Sequence, residues 1–563
     1  MNEYKHGGAH LASALASYGL THIFFVDAIL RHTLAHLEDH GIHRVLAHSE
    51  KAAAYMADGY ARVLQRPAVC MAQSVGAANL AAGLQDALLA RSPIIAITGR
   101  HIAENQYRNA YQELPHEPMF RAVTKFSARI DVPQQVSQLL RQAFREATTG
   151  RTGPVHLDVA GNTGSATDYW TTALESVIEP EFMQLPPFRI HPDPALVSRS
   201  AKLLSSATRP LIVAGIGVNW SGAQAALRLF VEASGLPLVT TLDTKPLLPA
   251  THPLNVGVMG TYGTDAANRA VAEADVVLYV GCDLGDQESA NWMLPQDGTA
   301  TIQVDVDPSE LGRNLPGAVK IQSDPLAMIE ALGRTLSALD LRAWLDRIAG
   351  LRNDWIEKIR EHRVSDAVPM RPERLCEELG RVLPGDAILV ADTGYASQWT
   401  GQMLDMRGPS QTYLRAAGSL GWAFPAALGA KAASPDRPVV CFTGDGGFMY
   451  HLPELETARR WNLATVTIVN NNGQLGQGLR NLRTAYAGRD GRMDELYKFK
   501  PLDYAAIAES FGCNGIRVTD PEAVGPAIRA GLDAGRPTVI DVVSDPAALA
   551  PIPWMPKTQC DML

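Results

Sequence analysis

Short runs rich in valine and isoleucine recur along almost the whole chain, each separated from the next by a longer stretch with helical spacing. This alternation restricts the fold more than any other feature. The runs fall at residues 67–71, 93–98, 210–214, 274–280, 387–391, 438–443, 464–469 and 538–543, with helical patterns such as 77–89, 224–233 and 452–461 elsewhere. They are bounded by Gly, Pro or Asp and are too short for buried helices, so they read as strands buried on both faces. Parallel strands must be joined by long crossovers, and helical crossovers cover both faces of the sheet. The expected class is therefore α/β with doubly wound parallel sheets. Two stretches break the pattern: a segment rich in proline and acid at 178–194, and a charged helical stretch at 340–362 followed by 363–372. They leave three α/β blocks, about 1–175, 190–340 and 365–545, and a tail, 546–563, whose last residues from 551 on look poorly packed. A chain of 563 residues is long enough to bury several cores without staples.

Bulk chemistry excludes several classes. The net charge is −9, with 46% hydrophobic and 19% charged residues. That balance gives no basic footprint for nucleic acid and no polybasic patch for a membrane surface. No run of 18 apolar residues is present, so no helix is expected to span a bilayer. The start, MNEYKHGGAH, lacks the basic and apolar regions of a secretory signal. The six cysteines are scattered with no CxxC pair, and Cys70 and Cys441 sit inside apolar runs as buried thiols would. The expectation is a reducing, cytoplasmic setting.

The sharpest chemical signal lies in the third block, in VVCFTGDGGFMYHLPELETARRWNLATVTIVNNNGQLG, residues 439–476. A strand runs into Gly444-Asp445-Gly446-Gly447, a helix follows, and a second strand ends in Asn470-Asn471-Asn472-Gly473. Open α/β sheets bind ligands at the carboxyl ends of their strands. Glycines let backbone approach phosphate oxygens, and a following helix N-terminus offers free N–H groups to an anion. Asp445 and an asparagine 27 positions later, Asn472, supply hard oxygen donors for Mg²⁺, which shares its octahedral shell with phosphates. A GDGG alone marks only a turn; paired with NNNG at this spacing it is the thiamine diphosphate signature.

On these residues the chain resembles the acetolactate-synthase-like family of thiamine-diphosphate-dependent enzymes, over nearly its whole length. Ser49-Glu50-Lys51-Ala52-Ala53 with Ala57-Asp58-Gly59-Tyr60-Ala61-Arg62, then Asn79, Asp86-Ala87 and Tyr111-Gln112-Glu113, resemble the family's pyrimidine-binding segments. Gly418-Ser419-Leu420-Gly421 and the following residues match its "GxMGxGLPAAxGA" stretch. The resemblance implies three domains in the order pyrimidine-binding, central and diphosphate-binding. It implies that Glu50 bonds N1′ of the aminopyrimidine and that the Gly418 carbonyl holds the 4′-amino group. Leu420 would be the apolar wedge that bends the cofactor, with ordinary core as the alternative. Asp445, Asn472 and the Gln474 carbonyl would bind Mg²⁺. Gly394 and Tyr395, with the N–H groups of Gly446 and Gly447, would hold the diphosphate. The family places its cofactor between two chains, so a homodimer is the minimum unit expected, with a homotetramer the common form.

Departures from the family concern the substrate pocket. Where members read "GxPGG", this chain has Phe25-Val26-Asp27-Ala28, so Asp27 is either a proton relay or substrate contact, or a helix N-cap. The "SGPG" turn reads Gln73-Ser74-Val75-Gly76, which sets polar Gln73 toward the substrate. Gln112 is expected to bond the substrate carbonyl or carboxylate; His116 and Glu117 sit nearby, and a surface loop explains them equally well. Related pyruvate decarboxylases carry Glu at the position of Gly478; glycine there argues for carboligation over simple decarboxylation. The central block has a dinucleotide-like turn, Ala214-Gly215-Ile216-Gly217, without a full G-x-G-x-x-G. Some members bind FAD in this block through an "RFDDR" patch; it reads Cys282-Asp283-Leu284-Gly285-Asp286-Gln287 here, and FAD is not expected. The reading is a carboligase that decarboxylates a 2-oxo acid and transfers the acyl carbanion to a small carbonyl acceptor. The alternatives are a C–C lyase, hydrolase or decarboxylase of the same cofactor class and, more distantly, an NAD-binding oxidoreductase or a catalytically dead regulatory subunit.

Overall fold

The structure is a computed structural model that describes residues 5–27, 30–160, 169–170 and 177–556. Ala28, Cys560, residues 171–175 of the first block and the last seven residues of the tail lie outside the described residues. Three six-stranded parallel sheets follow one another along the chain. The first comprises β1 (His22–Phe25), β2 (His43–Leu46), β3 (Ala68–Gln73), β4 (Ile94–Arg100), β5 (Phe126–Ile130) and β6 (Val155–Ala160), in the order β2-β1-β3-β4-β6-β5. Among its helices, α1 (Glu50–Leu64) follows β2 and α2 (Gly76–Leu89) follows β3. The second comprises β7 (Pro210–Ala214), β8 (Leu238–Thr240), β9 (Asn255–Val258), β10 (Val276–Val280), β11 (Ala300–Asp305) and β12 (Val319–Gln322), in the order β9-β8-β7-β10-β11-β12. Helix α3 (Asp265–Glu273) lies between β9 and β10, and α4 (Arg342–Arg363) leads out of this domain. The third comprises β13 (Ile388–Ala391), β14 (Thr412–Arg415), β15 (Val439–Gly444), β16 (Thr465–Asn471), β17 (Asn514–Val518) and β18 (Thr538–Val543), in the order β14-β13-β15-β16-β18-β17. Its helices include α5 (Tyr395–Met403), α6 (Ala423–Ala433) and α7 (Asp445–Met449).

The first and third sheets share one strand order, and each reverses direction at its second strand. That reversal opens a crevice at the carboxyl ends of β1 and β3 in one and of β13 and β15 in the other. Every residue of β4, β6, β10 and β13 is buried, as strands covered on both faces must be.

The first and third domains meet through α1 and α6, which cross at two glycines. A Cβ on Gly59 would lie 2.0 Å from the Ala426 carbonyl oxygen, and one on Gly429 would lie 1.9 Å from that of Met56. Glycine inside a helix costs about 0.5–1 kcal/mol relative to alanine, yet here it lets two backbones touch. Replacing Gly59 with alanine is therefore expected to destabilise the protein by about 1–3 kcal/mol despite the gain in helix propensity, read as a lowered unfolding midpoint. An unchanged midpoint would show that the helices separate at no cost.

The charged helical stretch after residue 340 forms α4, which buries Trp344, Ile348, Leu351, Trp355 and Ile359 along one face. One expectation changes. The tail is packed up to its last described residues. Ala548 and Ala550 are buried, the Pro551 carbonyl accepts from Gln398 and Gln402 of α5, and the Trp554 N–H donates to Asp265 of α3. The Arg269 guanidinium lies 4.8 Å from the Trp554 ring. Proline and tryptophan have little side-chain entropy to lose for the area they cover, so a segment without regular structure can still dock.

Candidate active site

At the crevice of the third sheet, the end of β13 turns through Asp392-Thr393-Gly394 into α5, and the end of β15 runs directly into α7. Gly394 has φ +71°, a left-handed conformation that favours glycine. No side chain caps α5, so its first N–H groups are left for an anion. A Cβ on Gly446 would sit 2.6 Å from Leu475, and one on Gly447 would sit 2.6 Å from an Asp392 carboxylate oxygen. A side chain at either position would therefore have to displace Leu475 or the Asp392 carboxylate.

Asp445 is 2% exposed. Its Oδ1 accepts from the Gly446 N–H at 2.7 Å and its Oδ2 from the Gly473 N–H at 2.6 Å. Burial pushes its carboxyl up to about 6, against the pull of these backbone donors. Asn472 Oδ1 accepts from the Gln474 N–H at 3.2 Å, and the Gln474 side chain turns away to the Pro546 carbonyl, leaving its backbone facing the site. The three asparagines divide their labour. Asn471 points to the other face of β16, donating to Asp541 and to the Leu502 carbonyl, whereas Asn470 is buried with its Oδ1 unpartnered. Among the described residues no three His, Cys, Asp or Glu side chains gather into a self-sufficient metal site. One carboxylate, one amide and one carbonyl fit a hard cation that brings phosphate oxygens with it. The buried orphan oxygen and the glycine cradle are the features on which a diphosphate–cation group fits this crevice.

Two buried carboxylates to which the sequence reading gave no role, Asp392 and Asp86, build this site. Asp392 accepts from the Thr393 and Gly421 N–H groups and from the Thr443 hydroxyl, and so ties the ends of β13 and β15 to the 418–421 loop. Burial raises its carboxyl to about 6. Asp86 of α2 reaches across the domains and accepts from the N–H groups of Ala417, Gly418 and Ser419, at 3.0, 2.9 and 2.8 Å. In a trans peptide the N–H and C=O point opposite ways. With the Ser419 N–H on Asp86, the Gly418 carbonyl points away from it, free to accept a hydrogen bond. Arg62 pairs with both Asp58 and Asp86 and lies over the Trp422 ring, so the charged cluster is neutralised where it is buried. An aspartate in the middle of an apolar helix, as in LQDALL, was the available signal. Leu420 is half-buried and belongs to none of the hydrophobic clusters, so the ordinary-core alternative does not hold for it. Tyr395, at the start of α5, packs beside Gly476.

The first sheet presents its own polar set at the equivalent edge. Glu50 is the first residue of α1 and half-buried. Its Oε2 accepts from Asn79 Nδ2 at 3.2 Å, and a Cβ on Gly76 would lie 2.3 Å from its Oε1. No hydrogen bond joins Glu50 to the glycines, Asp445 or Asn472 of the same chain. Gln112 has φ +62° and lines a cavity of about 820 Å³ with Ser74, Val75 and His116. Gln73 ends β3 and is not among the lining residues, because the turn presents Ser74 and Val75 instead. His116 is no surface-loop residue: it is 2% exposed and bonds Asp158. Asp27 is exposed and pairs with Arg31 at 2.6 Å. It caps no helix, since the helix that follows starts at Arg31 with Leu30 as its N-cap.

In the central domain, Gly215 and Gly217 serve backbone packing. A Cβ on either would collide with Gly281, at 2.4 Å from its oxygen or 2.8 Å from its Cα. The dinucleotide-like turn thus has a structural explanation in its contact with the end of β10.

Comparison with known proteins agrees with this geometry. Residues 5–119 match the N-terminal TPP-binding domain of thiamine pyrophosphate enzymes, 197–332 their central domain, and 392–542 their C-terminal TPP-binding domain. The chain is 31% identical to a probable acetolactate synthase large subunit of Methanocaldococcus jannaschii, over 97% of this chain and 93% of that protein. It is 32% identical to the acetolactate synthase large subunit of Corynebacterium glutamicum, over 91% and 82% of the two chains. It is 29% identical to the acetolactate synthase isozyme 2 large subunit of Escherichia coli, over 96% and 95%. With three parallel sheets in the right order, a diphosphate cradle on the third and a carboxylate at the matching edge of the first, the chain belongs to the acetolactate-synthase-like family of thiamine pyrophosphate enzymes.

Proposed function

We propose that this enzyme decarboxylates a 2-oxo acid and joins the resulting acyl unit to a carbonyl acceptor, with Mg²⁺ holding the cofactor diphosphate. The observation that carries this reading is the convergence of Asp445, Asn472 and the Gln474 backbone at the ends of β15 and β16, beside the glycine cradle. When bound, thiamine diphosphate supplies the nucleophilic carbon and the electron sink. The protein's part is positioning and proton control. Glu50 would share a proton with the pyrimidine N1′. The Gly418 carbonyl would hold the 4′-amino group, and Leu420 would be the apolar wedge beside the cofactor. Gly394, Tyr395, Gly446 and Gly447 would hold the diphosphate. Gln112 would orient the substrate from the cavity wall, and Asp27, exposed and paired with Arg31, would be a further substrate-side group. Glycine at 478, where related pyruvate decarboxylases carry Glu, favours ligation over simple decarboxylation. The relatives named as acetolactate synthases support the same reaction type.

The same reading makes the active unit a homodimer at minimum, and a homotetramer as a pair of such dimers. Glu50 has no hydrogen bond to the cradle of its own chain. Val75, Tyr107 and Tyr111 at one edge, and Met449, Tyr450, Leu475 and Phe499 at the other, leave large apolar side chains exposed in a single chain. Five free, buried cysteines support a reducing, cytoplasmic setting, and no helix among the described residues is long and apolar enough to cross a membrane. A flavin is not part of the reading, since Cys282-Asp283-Leu284-Gly285-Asp286-Gln287 carries neither arginine of the family's flavin patch. The test is calorimetry with thiamine diphosphate and Mg²⁺, followed by pyruvate and other 2-oxo acids with and without aldehyde acceptors. Carbon dioxide release coupled to a 2-hydroxy ketone is expected; carbon–carbon cleavage without such release would assign the chain to the lyases or hydrolases of the class.

A further inference from the structure

The N-terminal domain contains a buried acid–imidazole pair to which the reading above gives no role. His116 Nδ1 lies 2.9 Å from Oδ1 of Asp158, which is 1% exposed. Thr98 donates its hydroxyl to the same oxygen at 2.8 Å, and Arg100 Nε lies 3.3 Å from Oδ2. Thr98 in turn meets His156 Nε2 at 2.7 Å, and His156 Nδ1 meets the Ser127 hydroxyl at 2.8 Å. Phe120 stacks on the His156 ring at 3.6 Å between centroids. Asp158 is thus held from several sides and can only accept. In the neutral imidazole of His116, Nδ1 then carries the proton and Nε2 the lone pair.

That Nε2 is buried and has no hydrogen-bond partner among the described residues. A side chain so firmly oriented, with one polar atom left over, is uncommon away from functional sites. His116 lines the 820 Å³ cavity that also holds Gln112, Ser74 and His101, whose Nδ1 is likewise buried and unpartnered. Two residues beyond Ser74, Gly76 lies against the Glu50 carboxylate, so one turn joins the cavity wall to Glu50.

We propose that His116 is a catalytic residue whose Nε2 exchanges a proton with the oxygen of a small carbonyl substrate in this cavity, and that Asp158 is its positioning residue. The inference rests on the carboligase reading. As the new carbon–carbon bond forms at the acceptor carbonyl, the π pair moves onto oxygen. Protonated His116 supplies the proton from Nε2, leaving a product hydroxyl and a neutral imidazole still bonded to Asp158 through Nδ1–H. When the product's other carbonyl re-forms, its hydroxyl proton returns to Nε2, so His116 ends the cycle as it began; the one proton that the overall reaction consumes, because a carboxylate leaves as neutral carbon dioxide, comes from solvent at the donor oxygen.

The test uses the full-length protein loaded with thiamine diphosphate and Mg²⁺. His116→Gln is expected to lower kcat for ligation about 100-fold, with the Kd for thiamine diphosphate and the KM for pyruvate within threefold. His116→Gly should recover turnover when imidazole is added, which a purely structural loss would not do. In the wild type, methyl acetylphosphonate, a pyruvate analogue that cannot lose carbon dioxide, should shift the His116 Nε2 nitrogen resonance. Ligation by His116→Gln at the wild-type rate, no rescue by imidazole, or an unmoved resonance would each overturn the role. Absence of cofactor binding in the wild type would instead sink the carboligase reading, and this one with it.

Discussion

Glu50→Gln is expected to lower turnover by about 1,000-fold or more while the cofactor still binds within about tenfold of the wild-type affinity. The amide keeps the length of the side chain, its place at the start of α1 and the contact with Asn79, which lies 3.2 Å from the carboxylate. What it loses is the ability to share a proton with a ring nitrogen. Gly76 packs against the carboxylate, since a Cβ there would lie 2.3 Å from Glu50 Oε1. Affinity is read by calorimetry and turnover by carbon dioxide release. Wild-type turnover in this variant would remove Glu50 from the chemistry.

Asp445→Asn is expected to remove cation-dependent cofactor binding. Both carboxylate oxygens of Asp445 accept from backbone donors, Gly446 on one and Gly473 on the other. An asparagine offers one acceptor and sets its NH₂ against the second N–H, so it loses the charge that a divalent cation needs and a loop contact as well. In the wild type, thiamine diphosphate with Mg²⁺ should raise the unfolding temperature, as any ligand selective for the native state does. The variant should show no such rise at the same concentrations. A rise equal to that of the wild type would move the metal away from Asp445. The apo proteins have to be compared first, because the lost loop contact lowers stability without any ligand.

How much of this was legible in the sequence can be argued from particular residues. The eight apolar runs are strands, because a buried parallel strand must be apolar on both faces and short. The glycine turn at 444–447 and the asparagine triplet sit at the ends of neighbouring strands, because β15 and β16 pair in register from Val439 with Thr465 to Gly444 with Asn470. Burial of His116 was not legible, since one histidine in a polar loop gives no periodic signal. Nor was the docked tail, which has no regular structure to betray its packing.

The sequence by itself determined the class of fold and the glycine turn and asparagine triplet at neighbouring strand ends, because backbone periodicity and glycine's freedom are local properties of a short stretch of chain. Only the tertiary structure decided what spans the domains: that Asp86 of α2 turns the Gly418 carbonyl outward, that Gly59 and Gly429 let α1 and α6 touch, and that Asp158 fixes the ring of His116. Contacts between residues tens to hundreds of positions apart depend on three-dimensional packing and hydrogen-bond satisfaction, and those do not repeat along the chain in any pattern a reader of one sequence can see.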